Sequence, residues 1–475
     1  MLRNYFKTAF RNLLRNKTYA FINIIGLSIG LACAMLIILY VKDEVSYDRF
    51  HENAGKVYRV VRQDLDKEGN KKGKDGNTGY YQGPRFAANI PAIKTFVRIQ
   101  NRTEDIKTGT AIHSHQLLHV DSNFFSVFSF PLISGDARTC LKDPYSIVIS
   151  EDEAKRQFGA KDALGKTVLV KEEDKFVPYT VTGVTNRCPQ NSSIKFDILM
   201  PLKVSVADEQ NPENWFNFFL NTFVVLAPGA HVADVEKQMQ RVFSTESSDA
   251  AKILTEKYGP MEWSSLYLLQ PFLNMHLSTE IPPQNGLSDA SNPMYSYILS
   301  GIAIFILSIA CINFINLTVA RSVKRAKEIG IRKVIGGERQ QLIIQFLGES
   351  FLLCLFSFLL AILIVRLILP LFNNLANKAL ALSYLFDAKL IAGYVILFFV
   401  TGLLAGFYPA LVLSGYNPVD TLYSRFTLGG KNYLQKLLVV LQFALASFLI
   451  IGTFTIYSQS PSHKKILTAP NHVIN

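Results

Sequence analysis

Apolar residues along this chain are gathered into long unbroken blocks instead of recurring at amphipathic spacing. Five blocks reach the roughly 20 residues that a helix needs to cross a hydrocarbon core. They lie at 19–42, 294–320, 342–372, 390–413 and 437–458. Residues 43–293, between the first two, carry frequent charges and turn residues, with apolar positions in short runs. Val57-Tyr58-Arg59-Val60-Val61 alternates as a strand does, and Tyr179 to Val184 and Thr222 to Leu226 read the same way. Residues 146–159 predict a strand leading into a helix, with Ser150 and Glu153 in a capping-box pattern and Gly159 placed to end it. Residues 232–244 predict a helix with Val232, Val235, Met239 and Val242 on one face. Strands and helices in mixed order argue for α+β and against a doubly wound sheet. The predicted fold is therefore a multi-span α-helical membrane protein with a large α+β extracytoplasmic domain inserted between the first and second spans.

A net charge of +12 would suit a nucleic-acid partner if the cations formed one patch. They flank the spans instead, which argues for the lipid bilayer and against nucleic acid. Residues 1–18 hold Arg3, Lys7, Arg11, Arg15 and Lys17 with no acid. Residues 321–341 hold Arg321, Lys324, Arg325, Lys327, Arg332, Lys333 and Arg339 against Glu328 and Glu338. Short basic segments stay cytoplasmic, so the N-terminus and the 321–341 loop are expected inside and the 43–293 domain outside. An odd number of spans puts the 459–475 tail outside as well. Within 1–18, Leu2, Tyr5, Phe6, Ala9, Phe10 and Leu13 recur at helical spacing opposite the basic residues, the pattern of a helix lying in the cytoplasmic interface. The first apolar run is longer than the 7 to 15 residues of a signal-peptide core, so it reads as a retained span.

Catalytic constellations are missing from the pattern. Gly159 to Thr167 (GAKDALGKT) resembles a phosphate-binding loop, but five residues separate its first Gly from Gly165-Lys166-Thr167 where four are needed. The segment also leads into the strand-like Val168-Leu169-Val170 instead of a helix. His51, His113, His115, His119, His231 and His276 show no paired ligand spacing, and His113-Ser114-His115 reads as a solvated strand face. No catalytic residue, metal ligand or cofactor site is assigned, and the chain is not expected to be an enzyme. Cys33, Cys311 and Cys354 fall in apolar spans, whereas Cys140 and Cys188 fall in the inserted domain, where a disulfide is one option in an oxidising compartment. The intramembrane polar residues Asn23, Asn313, Asn316 and Glu349 are expected to bond between helices. Arg366 is expected to snorkel to an interface.

The segment after the second span is more patterned than anchoring requires. It reads Arg325-Ala326-Lys327-Glu328-Ile329-Gly330-Ile331-Arg332-Lys333-Val334-Ile335-Gly336-Gly337, followed by Gln345-Phe346-Leu347-Gly348-Glu349-Ser350. This resembles the coupling segment of FtsX-like, MacB-type ABC transporter permeases. Gly406-Phe407-Tyr408-Pro409-Ala410 with Asn417-Pro418-Val419 is similar to the matching C-terminal element of that family. In the inserted domain, Asp121-Ser122-Asn123-Phe124-Phe125, Ser146 to Ser150, Gly165-Lys166-Thr167 and Ile194-Lys195-Phe196-Asp197 are similar to the MacB-type periplasmic domain.

The resemblance implies a bacterial inner-membrane permease whose periplasmic domain is moved by ATP hydrolysis in a separate ABC-type ATPase subunit. ATP would be bound by that partner. Export of an antibiotic, toxin, peptide or lipoprotein is the expected outcome. The alternative is mechanotransmission to a cell-envelope hydrolase or sensor. A second permease chain or a periplasmic adaptor are further partners it implies. Arg325, Glu328, Ile329, Gly330, Ile331, Arg332, Lys333, Val334, Ile335 and Gly336 would form the ATPase-coupling surface, with Ile329, Ile331, Val334 and Ile335 supplying contact. Arg325, Arg332 and Lys333 would set orientation or bind lipid headgroups, and Tyr408, Pro409, Ala410 and Pro418 would form the second coupling element. One departure from the family pattern is the fifth span. It reads as the opening of a second repeat and makes the chain resemble the first half of an eight-span, two-repeat permease, apparently truncated.

Overall fold

The structure, a computed structural model, describes residues 11, 13, 15–108, 111–159, 162–260, 263–376, 378–380, 387–415 and 433–467, the side chains of 322–328 and 456–467 excepted. Most of the expected N-terminal interfacial helix and Pro418 lie outside these residues. The chain forms two units, one of Met1–Lys42 with Met294–Asn475 and one of Asp43–Pro293. Helix α1 (Lys17–Val45) opens the first.

The inserted unit carries helices α2 (Gln82–Asn89), α3 (Glu151–Phe158), α4 (Val232–Glu246) and α5 (Ser248–Tyr258). Its strands are β1 (Val57–Leu65), β2 (Lys71–Asp75), β3 (Asn77–Thr78), β4 (Ile93–Thr108), β5 (Ala111–Val120), β6 (Leu132–Ser134), β7 (Ser146–Ser150), β8 (Thr167–Glu172), β9 (Lys175–Thr185), β10 (Ile198–Pro201), β11 (Leu220–Leu226) and β12 (Ser264–Pro271). They form one mixed sheet in the order β12-β1-β11-β4-β5-β10-β7-β9-β6, with β2, β3 and β8 off this path. β10 with β5 and β7 with β9 are parallel, and the remaining pairs are antiparallel. The order is that of an α+β domain.

Side-chain alternation along a strand sends successive residues to opposite faces, and the cores follow from it. On β11, Phe223 enters an aromatic core with Phe124, Phe128 and Phe272, whereas Val224 enters a second core with Phe86, Val235, Met239 and Tyr267. A third core gathers Ile147, Ile149, Val168, Val170 and Val181 from β7, β8 and β9. The outer edge of β12 is covered by α4. Glu236 Oε1 accepts the Leu269 amide at 2.8 Å, Gln240 Oε1 accepts the Tyr267 amide at 3.3 Å, and Gln240 Nε2 donates to the Ser265 carbonyl at 3.3 Å.

The Ser150 signal is half realised. Its hydroxyl accepts the Glu153 amide at 3.2 Å, and Gly159 closes α3 at φ +67°. Glu153 turns to Gln157, however, and the Ser150 amide is taken by the Asp197 carbonyl at 2.8 Å, so no reciprocal box forms. Cys140 and Cys188 are free thiols in the aromatic core. His115 faces Glu153, His119 bonds Glu104 at 2.8 Å, and no metal-ligand cluster occurs among the described residues.

The first unit continues with α6 (Pro293–Val334), α7 (Arg339–Ala376), α8 (Ala388–Ser414) and α9 (Tyr433–Leu467). Among the described residues, five helices are long and apolar enough to span a membrane. Helix association in lipid depends on close packing, because lipid tails are as apolar as the side chains they would exchange with. Small residues provide it here. A Cβ on Gly30 of α1 would lie 2.8 Å from the Ala310 Cβ of α6. On α8, a Cβ at Gly402 would lie 2.5 Å from Phe351 and one at Gly406 would lie 2.7 Å from the Ser350 Cβ of α7. Tyr394 Oη donates to the Met35 carbonyl at 3.1 Å, joining α8 to α1. The apolar stretch of α9 has no buried residue, and Asn316 Nδ2 lies 3.5 Å from its Gln442 Oε1.

Three expectations follow. Gly406→Leu should cost about 1–3 kcal/mol by overpacking α7 against α8, read as a lower unfolding midpoint of the solubilised protein. Gly393→Leu, with nothing within 4 Å of its Cβ, should leave that midpoint almost unchanged. Ser150→Ala should cost about 1 kcal/mol through loss of the cap.

Candidate functional site

The expected loop at 321–341 is mostly helix. α6 runs on to Val334 and α7 begins at Arg339, leaving a turn of four residues, Ile335-Gly336-Gly337-Glu338. Ala, Arg, Lys and Glu are strong helix formers, so the polar extension continues the helix once the apolar block ends. Gly336 stops it at φ +93°. The Gly336 amide donates to the Lys333 carbonyl at 3.2 Å and the Gly337 amide to the Arg332 carbonyl at 2.9 Å, the paired bonds of a Schellman motif. A Cβ on Gly337 would lie 2.8 Å from the Arg332 carbonyl oxygen, so both glycines are required by the backbone.

Ile329 is buried, at 2 % exposure, with Leu342 and Phe346 of α7 and Ala410 and Leu413 of α8. This corrects the expectation that Ile329 supplies contact to a partner. Gly330 is buried too. The structure thus brings the first coupling segment and Ala410 of the second into one small core. Tyr408 is half-buried, and Pro409 is buried inside α8.

The basic residues are also engaged internally. Arg332 Nη1 donates to Gln345 Oε1 of α7 at 2.7 Å. Lys333 Nζ donates to the Ser414 carbonyl at 2.7 Å, placing a cation on the last carbonyls of α8, where the helix dipole favours it. Burial and the neighbouring Arg339 hold the Lys333 ammonium below its usual range. Arg332 and Lys333 therefore fasten the turn to α7 and α8. The side chains of Arg325 and Glu328 lie outside the described residues.

Outward, the last turn of α6 and Ile335 present apolar side chains beside the exposed, charged Glu338 and Arg339. Ile331, Val334 and Ile335 are 44 %, 65 % and 80 % exposed. Gln345 and Ser414, which hold the turn, were not assigned a role from sequence. Gln345 stood out only as the first residue of the Gln345–Ser350 segment, and Ser414 carried no signal.

Residues 20–242 match the family described as MacB-like periplasmic core domain, and residues 300–418 match the FtsX-like permease C-terminal family. The Neisseria gonorrhoeae macrolide export ATP-binding/permease protein MacB is 24 % identical over 311 residues, covering 64 % of this chain and 43 % of that protein. An ABC transporter permease of Methanocaldococcus jannaschii is 24 % identical over 283 residues, covering 59 % and 62 %. The chain thus spans less than half the length of the MacB proteins it matches. Among solved structures, a domain of a putative permease protein from Porphyromonas gingivalis aligns over 46 % of this chain and 91 % of its own, at 20 % identity and TM-score 0.35. The periplasmic region of MacB from Actinobacillus actinomycetemcomitans aligns over 45 % and 89 %, at 12 % identity and TM-score 0.28. With a MacB-like periplasmic core domain followed by an FtsX-like permease domain, and with apolar helices on both sides of the former, the chain belongs to the MacB/FtsX-type ABC transporter permeases.

Proposed function

We propose that the turn between α6 and α7 is the docking surface for a separate ATP-hydrolysing subunit, and that the chain transmits that subunit's movement to its inserted domain. The observation that carries this reading is the exposure of Ile331 and Val334 at the end of α6 and of Ile335 in the turn that follows, whose backbone is fixed. Exposed apolar side chains on a rigid frame are what a partner can bury without a large ordering cost. Arg332 and Lys333 pass any displacement of the turn directly to α7 and α8. The basic flanks support a cytoplasmic location for the turn in an inner membrane, with the inserted domain outside. Export is supported by the name of the Neisseria relative, and the substrate class follows from that relative alone.

The test is co-purification of the chain with candidate ATPases. Ile331→Asp with Ile335→Asp should reduce recovery of the ATPase at least tenfold while the permease keeps its unfolding midpoint, because both residues are exposed. Undiminished association would sink the docking surface. Gly336→Val should act differently, destabilising the turn itself by about 1–2 kcal/mol because a β-branched residue is held at positive φ. Its signature is a lower midpoint together with weakened association.

A further inference from the structure

Within the inserted unit, stretches distant in sequence meet, and they include the segment by which the chain enters the unit and the one by which it leaves. The entering segment is Ser46–Asp48, the middle one is Asn191–Lys195, and the third comprises the loop at His276 and the leaving segment Leu287–Ser291. The Asp48 amide donates to the Asn191 carbonyl at 2.8 Å, and Asn191 Nδ2 donates to the Ser46 carbonyl and hydroxyl at 3.0 Å each. The Ser193 amide donates to Asp48 Oδ1 at 2.8 Å. Ser193 in turn accepts the Ser288 amide at 2.9 Å, and Ile194 bridges Leu287. The Ser291 amide donates to the His276 carbonyl at 2.7 Å, and the His276 ring stacks on Tyr47 at 3.3 Å with 5° between planes. Lys195 forms an ion pair with Asp289.

Asp48 is the hub of this knot. It is fully buried and held at φ +59°, in a region where Asn and Asp are the side chains most often tolerated. Oδ1 has the Ser193 amide, whereas Oδ2 is buried and has no hydrogen-bond partner among the described residues. A buried carboxylate oxygen with no donor favours a proton.

We infer that Asp48 is the proton-sensitive pin of a clasp that ties the entering segment to the leaving segment through Asn191–Lys195. Burial pushes the Asp48 carboxyl up to about 6, against the Ser193 hydroxyl, the Ser193 amide and the charges of His276 and Lys195, which act downward. The remaining charged or titratable groups at the clasp are Asp43 and Glu44 at the end of α1, Glu44 lying 3.4 Å from His276 Nε2, and Asp289 beside Lys195. In an opened clasp the carboxyl is in water and titrates near its ordinary 3.8. The closed form therefore takes up a proton at a pH where the open form does not. Acidification through about 6 closes the clasp, and raising the pH through that value loosens it. The ratio of closed to open forms should change about tenfold between roughly pH 5 and 7.5.

This inference stands whether or not the turn between α6 and α7 docks an ATPase. The test is hydrogen exchange of the full chain in nanodiscs, reading the amides of Asp48, Ser193 and Ser288 after correction for intrinsic rates. Wild-type protection should fall about tenfold from about pH 5 to 7.5, while amides of β4 stay unchanged. Asp48→Asn, which keeps the Oδ1 acceptor and imitates the neutral acid, should remain protected and flat across that range. His276→Gln should retain the tenfold fall. A flat wild-type profile would overturn the clasp, as would a fall that survives Asp48→Asn or vanishes in His276→Gln. If Asp48→Asn does not fold, the wild-type and His276→Gln profiles still decide.

Discussion

Close approach of a neighbouring helix's side chains to glycine is the interaction on which the membrane unit depends. Helices in lipid gain nothing by hiding apolar surface from water, so they hold together only where they approach closely. Gly402 and Gly406, four residues apart on α8, bring that helix onto Phe351 and Ser350 of α7. The same contact places Ala410, Leu413 and Ser414 where Ile329 and Lys333 can reach them. Larger residues at these glycines would separate α8 from α7, and the turn between α6 and α7 would lose one of its two supports. The proposed docking surface is in this sense built from within the bundle.

The inserted domain meets the opposite problem. It has water on hand and solves its packing by strand alternation, with Phe223 and Val224 feeding different cores from adjacent positions. Arg59 shows the limit of that device. Although it sits on β1 among apolar neighbours, it is buried, with Nε donating to Asn221 Oδ1 at 3.0 Å. Burial lowers its guanidinium to about 10, partly offset by Asp75. A charged group of this kind survives in a core only because partners reach it.

Much of this was legible in the sequence. The spans were, because nothing but a bilayer asks for some 20 consecutive apolar residues. The strands around Val57, Tyr179 and Thr222 were, because short runs rich in Val, Thr, Tyr and Phe favour the extended backbone. The extension of α6 beyond its apolar block was not, since hydropathy falls at Arg321 while helix propensity does not. Ile329 was misassigned for a related reason. An apolar residue in a basic segment looks the same whether it faces its own core or a partner, and only Leu342, Phe346, Ala410 and Leu413 distinguish the two. Gly402 passed unread, and Gly406 was read only as part of a motif and not for packing, because small residues inside an apolar run change its hydropathy little. The knot around Asp48 rests on a bond between residues 145 positions apart, which no local pattern records.

The treatment of β12 has a consequence for a protein confined to two dimensions. Copies of a membrane protein share a plane, and their extramembrane domains meet repeatedly in similar orientations. A bare strand edge would then act as a template on which one sheet could continue into the next. Glu236 and Gln240 occupy the outward amides of Leu269 and Tyr267, so this margin of the sheet is already terminated by its own helix. Crowding can bring such domains side by side without joining them into a common ribbon.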